Sequence, residues 1–126
     1  MTALIRHITV DCADPYALAG FWSEVTGYAR HPSDEPGADQ ALLVAPEGEG
    51  PGLLFSRVPE GRSAKNRIHL DVMPTDGSRD DEVERLKKLG ATEHEDHRKP
   101  DGTGWVTMAD PEGNLFCVER SAAERV

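Results

Sequence analysis

The sequence predicts an α+β fold of two βαβββ modules, whose sheets can curve around one cavity if the halves are related. Three observations carry this reading. His7 and His69 each fall in the first strand of their half, and the glycines that end the two predicted helices, Gly27 and Gly90, are nearly the same distance apart. Pro-Glu-Gly recurs at 46–48 and 111–113, each time in the turn between the third and fourth strands. Any one match could arise by chance. Their common order reads as an internal repeat.

The elements follow in order. "ALIRHITVDC" alternates and reads as a strand. "DPYALAGFWSEVTG" reads as a helix, with Asp14 as N-cap, Pro15 at the first helical position and Gly27 just past the end. Leu18, Phe21, Trp22 and Val25 form its apolar stripe. A loop follows Tyr28, then "ALLVA" and "GLLFSRV" as strands around the turn "PEGEGPG". In the second half "NRIHLDV" is a strand, with Ile68, Leu70 and Val72 on one buried face. "MPTDGSRD" is a loop, and "DEVERLKKLG" a helix with Val83, Leu86 and Leu89 inward. "ATEHED", the loop "HRKPDGTG", and the strands "WVTMA" and "LFCVER" around the turn "DPEGN" complete it. The tail "SAAERV" is expected to be loosely held. The modules span about 3–58 and 65–120 of a single domain, 1–126.

Composition narrows the class. With 37% hydrophobic and 29% charged residues, the 126-residue chain is globular rather than disordered. No apolar run approaches the roughly 18 residues that span a membrane, and "MTALIRHITV" turns polar too soon for a signal peptide. A cytoplasmic protein is expected. The net charge of −9 argues against nucleic-acid binding, which needs basic surface. Cys12 and Cys117 belong to no C-x-x-C motif and are expected as free thiols. No phosphate-cradling glycine loop and no G-x-S-x-G elbow is present, so no nucleotide cofactor is expected.

Strand parity selects the candidate site. His7, Thr9 and Asp11 share one face of the first strand. His69 and Asp71 oppose Ile68, Leu70 and Val72. Glu119 shares a face with Leu115 and Cys117. If the modules are related, His7, His69 and Glu119 converge. Two imidazoles and a carboxylate form a facial triad that suits Fe, and the same donors serve Mn, Ni, Co or Zn. Such a site chelates neighbouring oxygens of a substrate and stabilises charge developing on them.

Plainer readings stand beside this one. A strand histidine is more often a surface or hydrogen-bonded group, and Glu119 beside Arg120 also fits a solvated strand end. Asp71 either orients an imidazole or pairs with Arg67; a structural role is favoured for it and for Asp11. "HEDH", with His94 and His97, is a weaker metal candidate at the edge of a polar loop. "DPEGN" is mainly a turn, with Asp110 and Glu112 no evident catalytic pair. "EGRSAKNR" is a basic stretch that suits either an anionic substrate or solvent.

"HITVDCADPYALAGFWSEVTGY", "VPEGRSAKNRIHLDV" and "DPEGNLFCVER" together resemble the vicinal oxygen chelate superfamily, in its glyoxalase-like, bleomycin-resistance-like branch. The resemblance runs from about Leu4 to Arg120. Its most specific pieces are the D-P-x-G-N-x-F-x-x-E ending and the H-x-D opening of the second module. It implies paired βαβββ modules and metal ligands from the first and last strands, which map onto His7, His69 and Glu119. The remaining position maps onto Ser56, where glyoxalase I has a carboxylate. Serine is a poor ligand for a divalent ion, so the resemblance points away from glyoxalase I activity and leaves Ser56 as a substrate contact. The three-ligand set is similar to that of the extradiol dioxygenases, without a counterpart for their extra catalytic histidine.

Three functions follow as expectations. One is a divalent-metal-dependent lyase, isomerase or dioxygenase acting on a small oxygenated substrate. Another is a metal-free, antibiotic-type small-molecule binding protein, since the superfamily includes such members. The third is an interaction module with a vestigial cavity. A homodimer is compatible with each, because paired modules can assemble across two chains.

Overall fold

The computed structural model describes residues 2–61, Ala64 and residues 66–125. The chain divides into two compact units, Met1–Gly61 and Arg62–Val126. Arg62 and Lys65 of the basic stretch lie outside the described residues.

In the first unit, β1 (His7–Cys12), α1 (Pro15–Thr26), β2 (Ala29–Arg30), β3 (Gln40–Val44) and β4 (Gly52–Arg57) follow in sequence. The sheet order is β1-β4-β3-β2, with β1 parallel to β4 and the other pairs antiparallel. Asp14 caps α1 by accepting from the Ala17 N–H at 3.3 Å, and Gly27 closes it at φ 76°. Leu18, Phe21 and Trp22 are buried as expected, whereas Val25 is half-buried. They pack on β3 and β4, which turn Ala41, Leu43, Leu53 and Phe55 inward. Each large apolar side chain buried there contributes roughly 1.5–3 kcal/mol. The βαβββ order calls for a second strand, which the sequence did not locate and which is the two-residue β2. No periodicity can announce so short a strand, which is anchored by Arg30, stacked over the Tyr16 ring at 3.8 Å and bonded to its carbonyl at 2.9 Å.

The second unit repeats the order with β5 (Asp71–Val72), α2 (Arg79–Leu89), β6 (Thr92–Asp96), β7 (Val106–Ala109) and β8 (Leu115–Val118). Its sheet order is β5-β8-β7-β6, with β5 parallel to β8. The paired βαβββ modules of the α+β prediction are therefore present. Val83 and Leu86 of α2 are buried, as are Val106, Met108, Phe116 and Val118 of the sheet, while Leu89 is only half-buried. Among the described residues no helix is long and apolar enough to cross a membrane.

Three local expectations are corrected. The predicted strand over 66–72 keeps its ladder only at Asp71 and Val72, and Ile68 is 78% exposed rather than buried. Helix α2 begins at Arg79, inside the expected loop, because the Ser78 side chain caps it by accepting from the Asp81 N–H at 3.1 Å. The tail is tied down: Ser121 is buried, and Glu124 Oε1 accepts the N–H groups of Ser121 at 2.8 Å and Arg79 at 2.7 Å. The "DPEGN" turn is structural as read. Buried Asp110 accepts from the N–H groups of Glu112 and Asn114, and Gly113 adopts φ 87°.

Candidate functional site

The second sheet has one covered and one open face. Alternation sends Phe116 and Val118 into the core and turns Leu115 and Cys117 the other way. Register then aligns a row across four strands: Asp71 opposite Cys117, Cys117 opposite Thr107, and Thr107 opposite Glu95. This face lines an open hollow of about 820 Å³, with His69, Trp105 and Glu119 also on its wall. Such a volume suits a small-molecule site.

His69 meets Asp71, not only in sequence but in space. Its Nε2 lies 3.2 Å from Asp71 Oδ1, and both side chains are about half exposed. Of the two roles open to Asp71, the imidazole partner is the one observed. Cys117 Sγ sits 3.6 Å from Thr107 Oγ1. Burial pushes its thiol pKa up; the Thr107 bond opposes this, while the Asp71 and Glu119 charges reinforce it. One donor atom each from His69, Asp71 and Cys117 fall within 4.8 Å of one another. Sequence parity had placed Cys117 and Glu119 on one face. Choosing between them needs the β5–β8 register.

Glu119 continues the ladder, its N–H donating to the Val72 carbonyl at 2.8 Å. Its carboxylate accepts from Arg125 Nη2 at 2.6 Å. His7 belongs to the first unit, where it is half-buried and opposite Gly52 on β4. The glycine is needed there: a Cβ would approach the Leu43 carbonyl to 2.7 Å and the His7 ring to 3.6 Å. Ser56 pairs with Asp11, towards the far end of the ladder from His7, and its carbonyl accepts the Cys12 thiol at 3.7 Å. Both cysteines are free thiols, Cys12 buried and Cys117 half-buried.

His94 stands on β6 and His97 just beyond its end, at the edge of the loop, and both line the hollow. Glu95 lies between them, 3.8 Å from His94 Nε2 and 2.9 Å from His97 Nε2. His97 also stacks on Trp105, with ring centroids 4.7 Å apart and planes at 24°. Trp105 remains 42% exposed, a large aromatic surface on the wall of the hollow.

The comparisons with known proteins agree with this architecture. Residues 7–119 match the family model described as a glyoxalase-like domain. No curated protein matches the sequence. Among solved structures, a glyoxalase/bleomycin resistance protein/dioxygenase family enzyme from Burkholderia phytofirmans superposes with TM-score 0.69 at 18% identity, over 92% of this chain and 97% of that one. A mutant fosfomycin resistance protein from Listeria monocytogenes, complexed with Mn(II) and 1S,2S-dihydroxypropylphosphonic acid, gives 0.70 at 17% identity, over 99% and 95%. Lactoylglutathione lyase from Agrobacterium tumefaciens gives 0.62 at 18% identity, over 98% and 96%. At these identities the likeness concerns the fold, and the matched family model carries the assignment. The chain belongs to the glyoxalase-like domain family, within the vicinal oxygen chelate superfamily.

Proposed function

We propose that this chain is a divalent-metal-dependent enzyme acting on a small oxygenated substrate by lyase, isomerase or dioxygenase chemistry. His7, His69 and Glu119 are the proposed ligands. The observation that carries the reading is that His69 and Glu119 line one hollow of ligand size on the open face of the second sheet. The fosfomycin resistance protein solved with Mn(II) lends support from the same fold. Imidazole and carboxylate donors suit Fe, Mn, Ni, Co or Zn, and the ion would polarise substrate oxygens and stabilise charge developing on them. Within the chain, Asp71 orients the His69 ring, and Trp105 presents an apolar wall to the bound molecule.

Elemental analysis of protein purified without added metal tests the proposal. Close to one equivalent of a transition metal per chain is expected, falling in His69→Ala and in His7→Ala. Metal-free wild-type protein that takes up none on incubation would refute it.

A second reading, a metal-free small-molecule binding protein, is favoured by one feature. The exposed Trp105 face, backed by His97, shares the hollow with Lys99 and Arg120, which suits a planar anionic molecule. Thermal-shift screening with and without chelator separates the two: stabilisation by organic ligands that ignores chelator supports binding alone. The cytoplasm is the proposed location, in keeping with two free thiols. The homodimer is a matter for sedimentation.

A further inference from the structure

We propose that the second module holds its ion through His69, Asp71 and Cys117, making a thiolate-containing site for a thiophilic divalent ion such as Zn(II). This deepens the metal-dependent reading above, on which it rests for the presence of an ion, and takes Asp71 and Cys117 as donors in place of Glu119 and His7.

Register is the first argument. Asp71 on β5 stands directly opposite Cys117 on β8, so the residue beside the His69–Asp71 pair is the cysteine. Glu119 lies two residues farther along, beyond the last ladder pair, with its carboxylate bonded to Arg125 at 2.6 Å. Ligation by Glu119 would have to break that charged contact. Ligation by Cys117 breaks none of comparable strength: its Sγ has a long contact of 3.6 Å with Thr107 Oγ1 and a bond to Asp71, itself one of the donors.

Distance is the second. Around a tetrahedral ion with bonds of about 2.0–2.3 Å, neighbouring donor atoms lie about 3.3–3.8 Å apart. His69 Nε2 and Asp71 Oδ1 already stand 3.2 Å apart, and Cys117 Sγ offers a third donor within the same 4.8 Å cluster. The two exposed partners can adjust by side-chain rotation, while Cys117 is fixed on the sheet. The hollow leaves the fourth position open to water or substrate, as a catalytic ion requires. Sulfur, nitrogen and a single carboxylate favour Zn(II) over Mn(II) or Mg(II). On binding, the Cys117 Sγ–H bond breaks heterolytically; the proton goes to solvent and the sulfur pair binds the ion.

Titration of the folded, metal-free protein with Co(II) chloride tests this by absorbance. A near-ultraviolet thiolate-to-cobalt charge-transfer band, saturating near one Co(II) per chain and displaced by Zn(II), is expected. Cys117→Ser should abolish the band, and Cys12→Ser should keep it. Asp71→Asn, at an exposed position, should keep the band and weaken Co(II) binding at least about tenfold, on the scale of losses around metal sites. Glu119→Gln should leave band and affinity unchanged. Co(II) binding without the band, or binding lost in Glu119→Gln with the band absent, overturns the donor set while leaving a metal-dependent enzyme standing. Failure of the wild type to bind Co(II) or Zn(II) overturns both.

Discussion

The Asn66 side chain is laid against the backbone of Leu115 at the mouth of β8. Leu115 N–H donates to Asn66 Oδ1 at 3.2 Å, and Asn66 Nδ2 donates to the Leu115 carbonyl at 3.4 Å and to the Ile68 carbonyl at 2.7 Å. An amide side chain thus replaces ladder bonds where residues 67–70 leave the strand. Asn66→Ala should cost about 1–2 kcal/mol, because a backbone N–H and two carbonyls lose their partner. Urea denaturation gives the loss. Amide exchange should accelerate at Leu115 well before Phe116 or Val118, and uniform exchange across β8 would refute the anchoring role.

This substitution of side chain for ladder also explains what the sequence could and could not reveal. Alternation in "NRIHLDV" placed His69 and Asp71 on one face correctly, because parity survives wherever the backbone stays extended. It misjudged Ile68, because period two reports direction and not whether anything covers the face. The α1 caps were legible, since Asp14, Pro15 and Gly27 act on their nearest neighbours. The tail was not, because Glu124 is held by the Arg79 amide far away in sequence. Cys117 was visible as a strand residue, and only the β5–β8 register set it against Asp71.

Arg79 is a charged residue buried to 5% exposure, and its Nη1 donates to the carbonyls of Gly102, Thr103 and Gly104 at 3.0–3.2 Å. It holds the loop that leads into Trp105. Arg79→Met keeps the bulk but leaves three carbonyls without that donor, and about 3 kcal/mol of stability should be lost. Arg79→Lys should recover only part, since an ammonium lacks the planar fork that also reaches Asp80 at 3.1 Å. Denaturation midpoints for the two variants check the order. Equal losses would show that the charge contributes nothing without the fork, and no loss in Arg79→Lys would refute the role of the fork.

Acid should loosen the surface clamp around Arg98. Its guanidinium bonds Asp96 at 2.8 and 2.9 Å, Asp80 at 3.2 Å and Glu93 at 3.2 Å. Side-chain bonds from Arg98, then its backbone N–H, hold the Asp96 carboxyl down at about 2 from an ordinary 3.8. Burial would raise Asp80, but Arg98 and Arg79 outweigh it and its pKa is lowered too. A carboxylate held low in the folded state stabilises above its unfolded value and loses that contribution as pH falls towards the folded one. The Tm of the wild type should therefore drop more steeply than that of Arg98→Met between about pH 4 and pH 2. High salt should narrow the difference, because these groups face solvent. Parallel Tm curves would refute the clamp.

Gly104 and Gly27 both adopt positive φ, at 91° and 76°, and alanine should separate them sharply. At Gly27 a Cβ meets nothing within 4 Å, so only backbone strain remains, about 1 kcal/mol. At Gly104 the same atom would overlap the His97 carbonyl oxygen and lie 3.1 Å from Arg98 Cα. Both are backbone and cannot rotate away, so the loop itself must move, at a cost of about 3 kcal/mol or more. That movement carries Trp105 off the His97 ring, since residues 97 and 105 are joined by the His97 N–H bond to the Trp105 carbonyl at 2.9 Å. Gly104→Ala should therefore increase acrylamide quenching of tryptophan emission, with buried Trp22 as the unresponsive background. A Gly104→Ala protein as stable as Gly27→Ala, with unchanged quenching, would refute the close packing of this loop.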